Sequence, residues 1–523
     1  MVVSAVTAVA TVTCVLVLIY KLILYPLFLS PLSRIPNAHW TAPISPAWII
    51  WRRYRALNNR TIQAAHEKFG PIVRLGPSEI SINCVDGGIK SVYTGGFEKH
   101  EWYPRVFGSF GTVSMFTMTD NKAHSSRKRL LSNIYSKSFL QSSPHIHLIS
   151  ETIMLDRFLP LIHEAVTSNA VVDMHDLNQG LTMDFVSSYL YGLANGSNFL
   201  QDADFRHRML QLYQCRKPFE FYHQEVPGLL AWTKKFGLRL IPKWCDEANE
   251  VLDAWGLSFC DKADECMAST KLETEPMVYK HLKQGILKQQ KAAGLSDADP
   301  EKQKCEIACE LYDHLTAGHE TSAVALTYLF WELSKHPELQ RELREELLTL
   351  EPRLTYPRPD ASRALPSPKS IDALPLLEAI VTETLRLHAP IPGIQPRVTP
   401  SPSCTLVGFD NIPANTRVNA QAYSLHRNPA VYPEPESWEP RRWLKDQNSA
   451  AELEERRRWF WAFGSGGRMC VGSNLALQEM KLAVAAIYTN FTTSVVNDDD
   501  IEAIDAYTVK PRGEKLILRF ENA

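Results

Sequence analysis

The first twenty residues hold no charged side chain and are dominated by Val, Ala, Leu and Ile. Lys21 follows, then a second apolar run to Leu29, interrupted by Pro26. About 20 apolar residues suffice to span a bilayer as a helix, so residues 1–29 predict a single membrane anchor. No basic residue precedes the run, which argues against a cleaved signal peptide. Lys21, Arg34, Arg52, Arg53 and Arg55 all lie on its C-terminal side, and positive-inside placement puts the body of the chain in the cytosol. Pro31, Pro36, Pro43 and Pro46 make 30–46 a stiff Pro-rich hinge, leaving 47–523 as the body.

Within the body, two short alternating stretches, Ile72–Leu75 and Glu79–Ile82, flank Gly76-Pro77 and read as a hairpin. Residues 95–118 are rich in Gly and aromatics, a loop packed on something apolar. A helical pattern runs over 120–137 with Asp120 as N-cap. From about 150 to 290 the pattern is amphipathic helix. The stretch 219–244, with Phe221, Leu229, Leu230, Trp232 and Phe236, is apolar enough to be either core or an exposed lid. Asp299-Pro300 opens a long helix to about Lys335. Further helical patterns cover 372–388 and 473–488, and a strand covers 515–520.

Composition narrows the class. The net charge of −2 over 523 residues gives no preference for nucleic acid. The ten cysteines form no CxxC pair, which suits a reducing compartment. Length alone would suggest about three domains.

The candidate chemistry sits in residues 463–472, Phe-Gly-Ser-Gly-Gly-Arg-Met-Cys-Val-Gly. Glycines let the backbone take positive φ and approach a flat ligand. Cys470 stands at the mouth of the 473–488 helix, where the dipole and free N–H groups favour a thiolate. Haem ligation uses such a thiolate; a Gly-rich turn with a buried structural cysteine fits the same residues. A dinucleotide loop is not supported, because Gly-x-Gly-x-x-Gly finds Met469 at its last position. In the long helix, Ala317-Gly318-His319-Glu320-Thr321 places a carboxylate and a hydroxyl beside a glycine. There Gly318 weakens the helix, so that a hydroxyl and water can enter the backbone ladder. His319-Glu320 is no zinc motif, since position 323 is Ala. Glu383 and Arg386 share a helix face, and Arg442 follows in Pro440-Arg441-Arg442-Trp443.

The 463–472 stretch resembles the haem-binding loop of the cytochromes P450, Phe-x-x-Gly-x-Arg-x-Cys-x-Gly, with Phe463, Gly466, Arg468, Cys470 and Gly472 at the specified positions. Residues 317–321 resemble the family's oxygen-binding helix, and Glu383, Arg386 and Arg442 its Glu–Arg–Arg network. These motifs span about two-thirds of the chain and imply one large domain. The implied fold is mainly α with a small β-rich lobe, preceded by the transmembrane helix. The implied cofactor is haem b (iron protoporphyrin IX), with Cys470 as axial ligand. Arg468, His124, Lys128 and Arg397 would meet the propionates, with Phe463, Gly466, Gly472 and Ala317 lining the haem. Glu320 and Thr321 would relay protons to dioxygen. In Pro-Arg-Arg-Trp, Arg441 replaces the acid usual in the family. The 95–118 loop would roof the substrate pocket, 507–509 would turn into it, and 219–244 would form the lid.

The implied activity is monooxygenation of a small, largely apolar molecule. Electrons would come from an NADPH–cytochrome reductase, a flavoprotein, with cytochrome b5 as a further candidate donor. A basic docking patch would include Arg127, Lys128, Arg129 and Arg456–458. The location implied is the endoplasmic reticulum membrane, single-pass, with a cytosolic catalytic domain. The wording of 124–140 resembles enzymes of fungal secondary metabolism. Two other classes share these residues: a haem-thiolate isomerase or dehydratase that does not use O2, and a non-catalytic haem sensor.

Overall fold

The computed structural model describes residues 2–292, 294, 299–358 and 363–523, with side chains from residue 6 onward. Helix α1 (Val2–Ile19) continues as a wider helical segment, Tyr20–Leu29. Together they contain a 24-residue apolar run, Val6–Leu29, of mean hydropathy 2.3, with none of it buried. The 30–46 segment packs onto the body: Leu32 and Ile35 are buried with Ile72 and Ile80, and Arg74 N–H donates to the Pro36 carbonyl at 2.8 Å. Its prolines border a packed turn, so it does not run free as a hinge.

The body is mainly helical, with three small sheets among the described residues. The hairpin forms as expected: β1 (Ile72–Gly76) pairs antiparallel with β2 (Glu79–Ile82), Ile72 opposite Ile82. They join β3 (Glu98–Lys99), β5 (Arg397–Val398) and β8 (Arg417–Asn419) in the order β1-β2-β8-β5-β3. A second sheet holds β4 (Val171–Asp173), β10 (Ile517–Asn522) and β9 (Phe491–Asn497); β6 (Ser403–Leu406) and β7 (Phe409–Pro413) form a hairpin.

Helix α2 (Asn121–Leu131) begins where expected, with the Asp120 carboxylate accepting from Ala123 N–H, but stops short of 137. The chain turns there, and Ser136 caps a separate short helix, Lys137–Ser142. The turn points Tyr135 inward, where its hydroxyl meets His314 at 2.8 Å.

Helix α3 (Met174–Tyr191) is buried along almost its whole length and lies against α4 (Pro300–Ser334), the central helix. Asp299 caps α4 as its sequence implied, and the helix ends before Pro337. The two cross closely because position 318 has no side chain: a Cβ there would lie 2.6 Å from Val186 Cγ2. Thr182 Oγ1 locks the crossing by donating to the His319 carbonyl at 2.8 Å. Helix α5 (Pro375–Leu387) starts three residues later than the pattern suggested, because Pro375 takes the first helical position and a separate turn, Pro368–Asp372, precedes it. Helix α6 (Ser473–Asn490) follows the cysteine loop and is buried on most faces.

The 219–244 stretch is not core. Leu229, Trp232, Phe236, Leu238 and Trp244 are all exposed, the first four on and beside the short helix Pro227–Lys235 and Trp244 at the start of the helix Lys243–Glu265.

Candidate active site

Residues 463–472 form a tight loop between Trp461 and α6. Cys470 N–H donates to the Phe463 carbonyl at 3.0 Å, and Met469 N–H to Gly466 at 3.1 Å. Gly466 has φ +69°, and a Cβ there would collide with the Tyr93 carbonyl oxygen, so only glycine fits. Trp461 Nε1 donates to Ser465 Oγ at 2.9 Å. Lys128, reaching over from α2, donates to the carbonyls of Gly467 and Met469, both at 2.9 Å. Two of its three donors are therefore held by the loop itself.

Cys470 stands three residues before α6 and two before its N-cap, Gly472. The N–H groups of Gly472 and Ser473 face the sulfur. Burial nonetheless pushes the thiol above its ordinary value, against the pull of those amides and of Lys128. This corrects the expectation of a lowered value: removal from water outweighs the partial charge of a helix end. A coordinated metal ion deprotonates a thiol outright, so the position suits a metal-bound thiolate better than a free one. The sulfur's residue remains accessible although protein surrounds it, as does Ala317 in mid-helix, with Leu315 and His319 buried two positions to either side.

Beside the loop, cations converge. Arg468 donates to the carbonyls of Met118 at 2.6 Å and Thr119 at 2.8 Å, and to Asn121 Oδ1. Burial, with Arg397 nearby, lowers its guanidinium to about 10. Arg397 is buried, donates to Tyr103 Oη at 3.1 Å, and lies over the Tyr93 ring. His124 is buried and held neutral, lowered to about 3 by burial and then by Arg468, Lys99, Lys128 and Arg397. Lys99 was missed by the sequence reading. It pairs across the sheet with Arg397, and burial followed by Arg397 and Arg468 drives its ammonium well below the ordinary range. Mutually repelling buried cations call for anions between them. The two propionates of haem b supply that charge, and Cys470 supplies a ligand for its iron; the residues present fit the group.

On α4, Thr321 Oγ1 donates back to the Ala317 carbonyl at 2.7 Å. The helix runs unbroken there, so Gly318 serves the contact with Val186 and does not open the backbone ladder. Glu320 is buried and turned elsewhere. It forms an ion pair with Lys217 and accepts from Tyr213 Oη and Gln214 Nε2, both at 3.3 Å. Burial would raise its carboxyl, but Lys217 and its other partners hold it below the ordinary range. The structure thus does not bring the Glu320 carboxylate and the Thr321 hydroxyl together.

A cavity of about 1560 Å³ opens along α4, with Phe107, Phe110, Asp313, Thr316, Glu320 and Tyr507 in its wall. The 95–118 loop and the 507–509 turn meet in it: Tyr507 packs on Trp102 and Phe107, with ring centroids 5.1 and 5.5 Å apart. Beyond these aromatics the wall carries Arg216, Lys217, Glu220 and Glu225, so it is more polar than a site for a largely apolar molecule was expected to be. Glu225, on the Glu220–Glu225 helix, pairs with Arg53 at 2.7 Å and with Arg417, and accepts from Trp102 Nε1 at 2.9 Å.

Glu383 gathers a buried ion network that His426 links to the cysteine loop, with its ring meeting the Arg386 carbonyl at 2.8 Å and accepting from Trp461 N–H at 2.7 Å. Arg386 donates to both its oxygens at 2.8 Å, and Arg442 Nε and Trp443 Nε1 add contacts at 2.9 Å. Arg441 turns outward onto Glu342 at 2.7 Å.

The basic docking patch shrinks. Arg127 is buried against Glu306 and Glu310, Arg456 is buried on the Arg442 carbonyl and Asn448, and Arg458 pairs with Asp86 and Glu455. Lys122, Arg129 and Arg457 are exposed.

The chain is similar to named fungal proteins along most of its length. It is 26% identical to "Cytochrome P450 monooxygenase orf2" of Aspergillus niger, over 97% of this chain and 96% of the relative. It is 28% identical to "Cytochrome P450 monooxygenase avaI" of Aspergillus versicolor, over 81% of this chain and 96% of the relative. It is 27% identical to "Cytochrome P450 monooxygenase stcB" of Emericella nidulans, over 92% and 86%. The family model described as Cytochrome P450 matches residues 44–518, and with the cysteine loop and its surrounding cations this places the chain in the cytochrome P450 family.

Proposed function

We propose that this protein is a haem-thiolate monooxygenase that oxidises a small molecule in fungal secondary metabolism. The observation that carries the reading is Cys470, presented by the 463–472 loop next to a cluster of cations that form no ion pair among the described residues. Bound there, haem b supplies dioxygen activation at a thiolate-ligated iron. Cys470 ligates the iron, and Arg468, Arg397 and His124 hold the propionates. Lys128 clamps the loop through Gly467 and Met469. Phe463, Gly466 and Gly472 would shape the loop around the thiolate, and Ala317, accessible on α4, would leave room for the group. Thr321 positions a proton donor there. Glu320 joins the relay when its pairing with Lys217 opens.

Residues 1–29 anchor the protein in the endoplasmic reticulum membrane as a single pass, 30–46 connect, and 47–523 form the cytosolic catalytic domain. Its exposed Leu229, Trp232, Phe236 and Leu238 match a lid that rests on lipid. An NADPH–cytochrome reductase donates electrons, docking near Lys122, Arg129 and Arg457, and cytochrome b5 serves as a second donor.

The test is twofold. The reduced protein with CO gives a thiolate-type band, which Cys470→Ser abolishes. Product then depends on NADPH, reductase and O2 together. Product without O2 would identify an isomerase or dehydratase, and a thiolate-type band without any turnover a sensor.

A further inference from the structure

Asp313 lies in the cavity wall on α4, four residues before Ala317. At a rise of about 1.5 Å per residue it sits about 6 Å along the helix from that position. Its Oδ2 accepts from Ser114 Oγ, on the loop that roofs the cavity. Oδ1 has no hydrogen-bond partner among the described residues, and the side chain remains accessible from the cavity. Phe107, Phe110 and Tyr507 line the same cavity, and the Phe110 ring stands edge-on to Tyr312 at 6.0 Å. A carboxyl with one oxygen free, in an aromatic wall, is costly to bury without a partner.

We propose that Asp313 is a substrate-binding residue that takes a hydroxyl of an aromatic substrate and so fixes how that substrate lies along α4. The proposal rests on the monooxygenase reading, which makes this cavity the substrate pocket. Burial pushes the carboxyl up to about 8; Ser114 and Lys99 oppose this and Glu310 adds to it. Near neutral pH both protonation states are therefore populated. A hydroxyl donates and accepts, so it matches either state. An ammonium group matches only the ionised one. The substrate then arrives already hydroxylated, so a reaction that installs a phenol or alcohol must precede this one.

The test uses haem-loaded enzyme whose reduced-CO band verifies thiolate ligation, so that failure of the monooxygenase reading is seen separately. Naphthol and methylnaphthalene, matched in shape, are titrated by calorimetry. Wild type is expected to bind naphthol about 10-fold or more tightly than methylnaphthalene, the range of a hydrogen bond to a charged or polarised group. Asp313→Ala removes the preference and Asp313→Asn keeps part of it; if the Ala variant does not load haem, the Asn variant carries the test. Ser114→Ala keeps the preference. An equal ratio in wild type and Asp313→Ala overturns the proposal. So does loss of the preference in Ser114→Ala as complete as in Asp313→Ala, which would make Asp313 a pin for the loop. Tighter binding of naphthylmethylammonium than of naphthol overturns the hydroxyl assignment.

Discussion

Lys217 and Glu320 form an ion pair across the cavity, tying the turn Lys217–Phe219 to the middle of α4. The pair keeps a buried carboxylate charged. Lys217→Met leaves burial unopposed by its strongest counter-charge, and the Glu320 carboxyl rises. In wild type the folded value lies below the unfolded one, so Glu320 stabilises the fold above an unfolded value of about 4.3. That contribution is lost as pH falls through the depressed folded value. In Lys217→Met the sign reverses, and the fold loses stability as pH rises past about 4.3. Removing one partner of a buried pair costs about 3–5 kcal/mol, and Lys217, with 19% of its side chain exposed, belongs at the lower end. Thermal melts from acid to neutral pH check this: the gap between wild type and variant should be widest at neutral pH. A constant gap would mean that Glu320 is not ionised in the native protein.

Glu383 accepts from Arg386, Arg442 and Trp443 and from the Glu439 N–H, all at 2.8–2.9 Å. Glu383→Ala leaves two buried guanidinium groups without their carboxylate. The expected loss is about 3–5 kcal/mol, read as a poor yield of folded, haem-loaded protein. Glu383→Gln, which keeps the acceptor oxygen, should recover part of it. Normal yield and loading of the Ala variant would show that the arginines find sufficient partners in the carbonyls of His426, Pro435 and Ser437.

Sequence spacing reveals local devices well and long-range pairings badly. The 463–472 loop, the capped start of α4, the β1–β2 hairpin and the apolar N-terminal run are local, and each was legible. Lys99 was not, because a two-residue strand has no readable pattern and its neighbour Arg397 lies far along the chain. The partner of Glu320 is likewise on another element. Arg127 reads as part of an exposed docking patch until Glu306 and Glu310 are seen to cover it. Gly318 reads in sequence as a weakened helix, and only the position of Val186 shows that it serves a close approach. The apolar 219–244 stretch has the composition of core whether it is covered or not.

Gly466 offers a clean test of the loop. With φ +69° and the Tyr93 carbonyl in the way, Ala there is both strained and obstructed. Gly466→Ala should lose the thiolate-type CO band and most of its haem. Gly228→Ala is the matched control, since nothing lies within 4 Å of its added Cβ and it sits in a helix, where Ala is favoured over Gly by about 1 kcal/mol. It should load haem normally. Full loading of the Gly466 variant would mean that the loop moves away from Tyr93 at little cost.

Thr321 carries the most mechanistic expectation. Its hydroxyl donates to the Ala317 carbonyl at 2.7 Å, which fixes the oxygen's lone pairs toward the accessible side of α4. An oxygen held that way can accept from a water and orient it. Glu320, paired with Lys217, does not reach that hydroxyl, so Thr321 is the nearer group for ordering the last proton donor. Positioned proton transfer is worth about 10²–10⁴-fold. Thr321→Ala should therefore keep haem loading and substrate affinity while diverting electrons, so that NADPH consumption exceeds product. Thr321→Ser keeps the hydroxyl and should retain most of the coupling, losing only the methyl that restricts its rotamer. Product per NADPH is measured for the three proteins with one substrate. Equal coupling in all three would remove Thr321 from the proton path. Asp313 lies eight residues earlier on α4, about 12 Å along the helix, so such a result would point to a second polar group of the substrate, not the hydroxyl proposed at Asp313, as the one that orders the water.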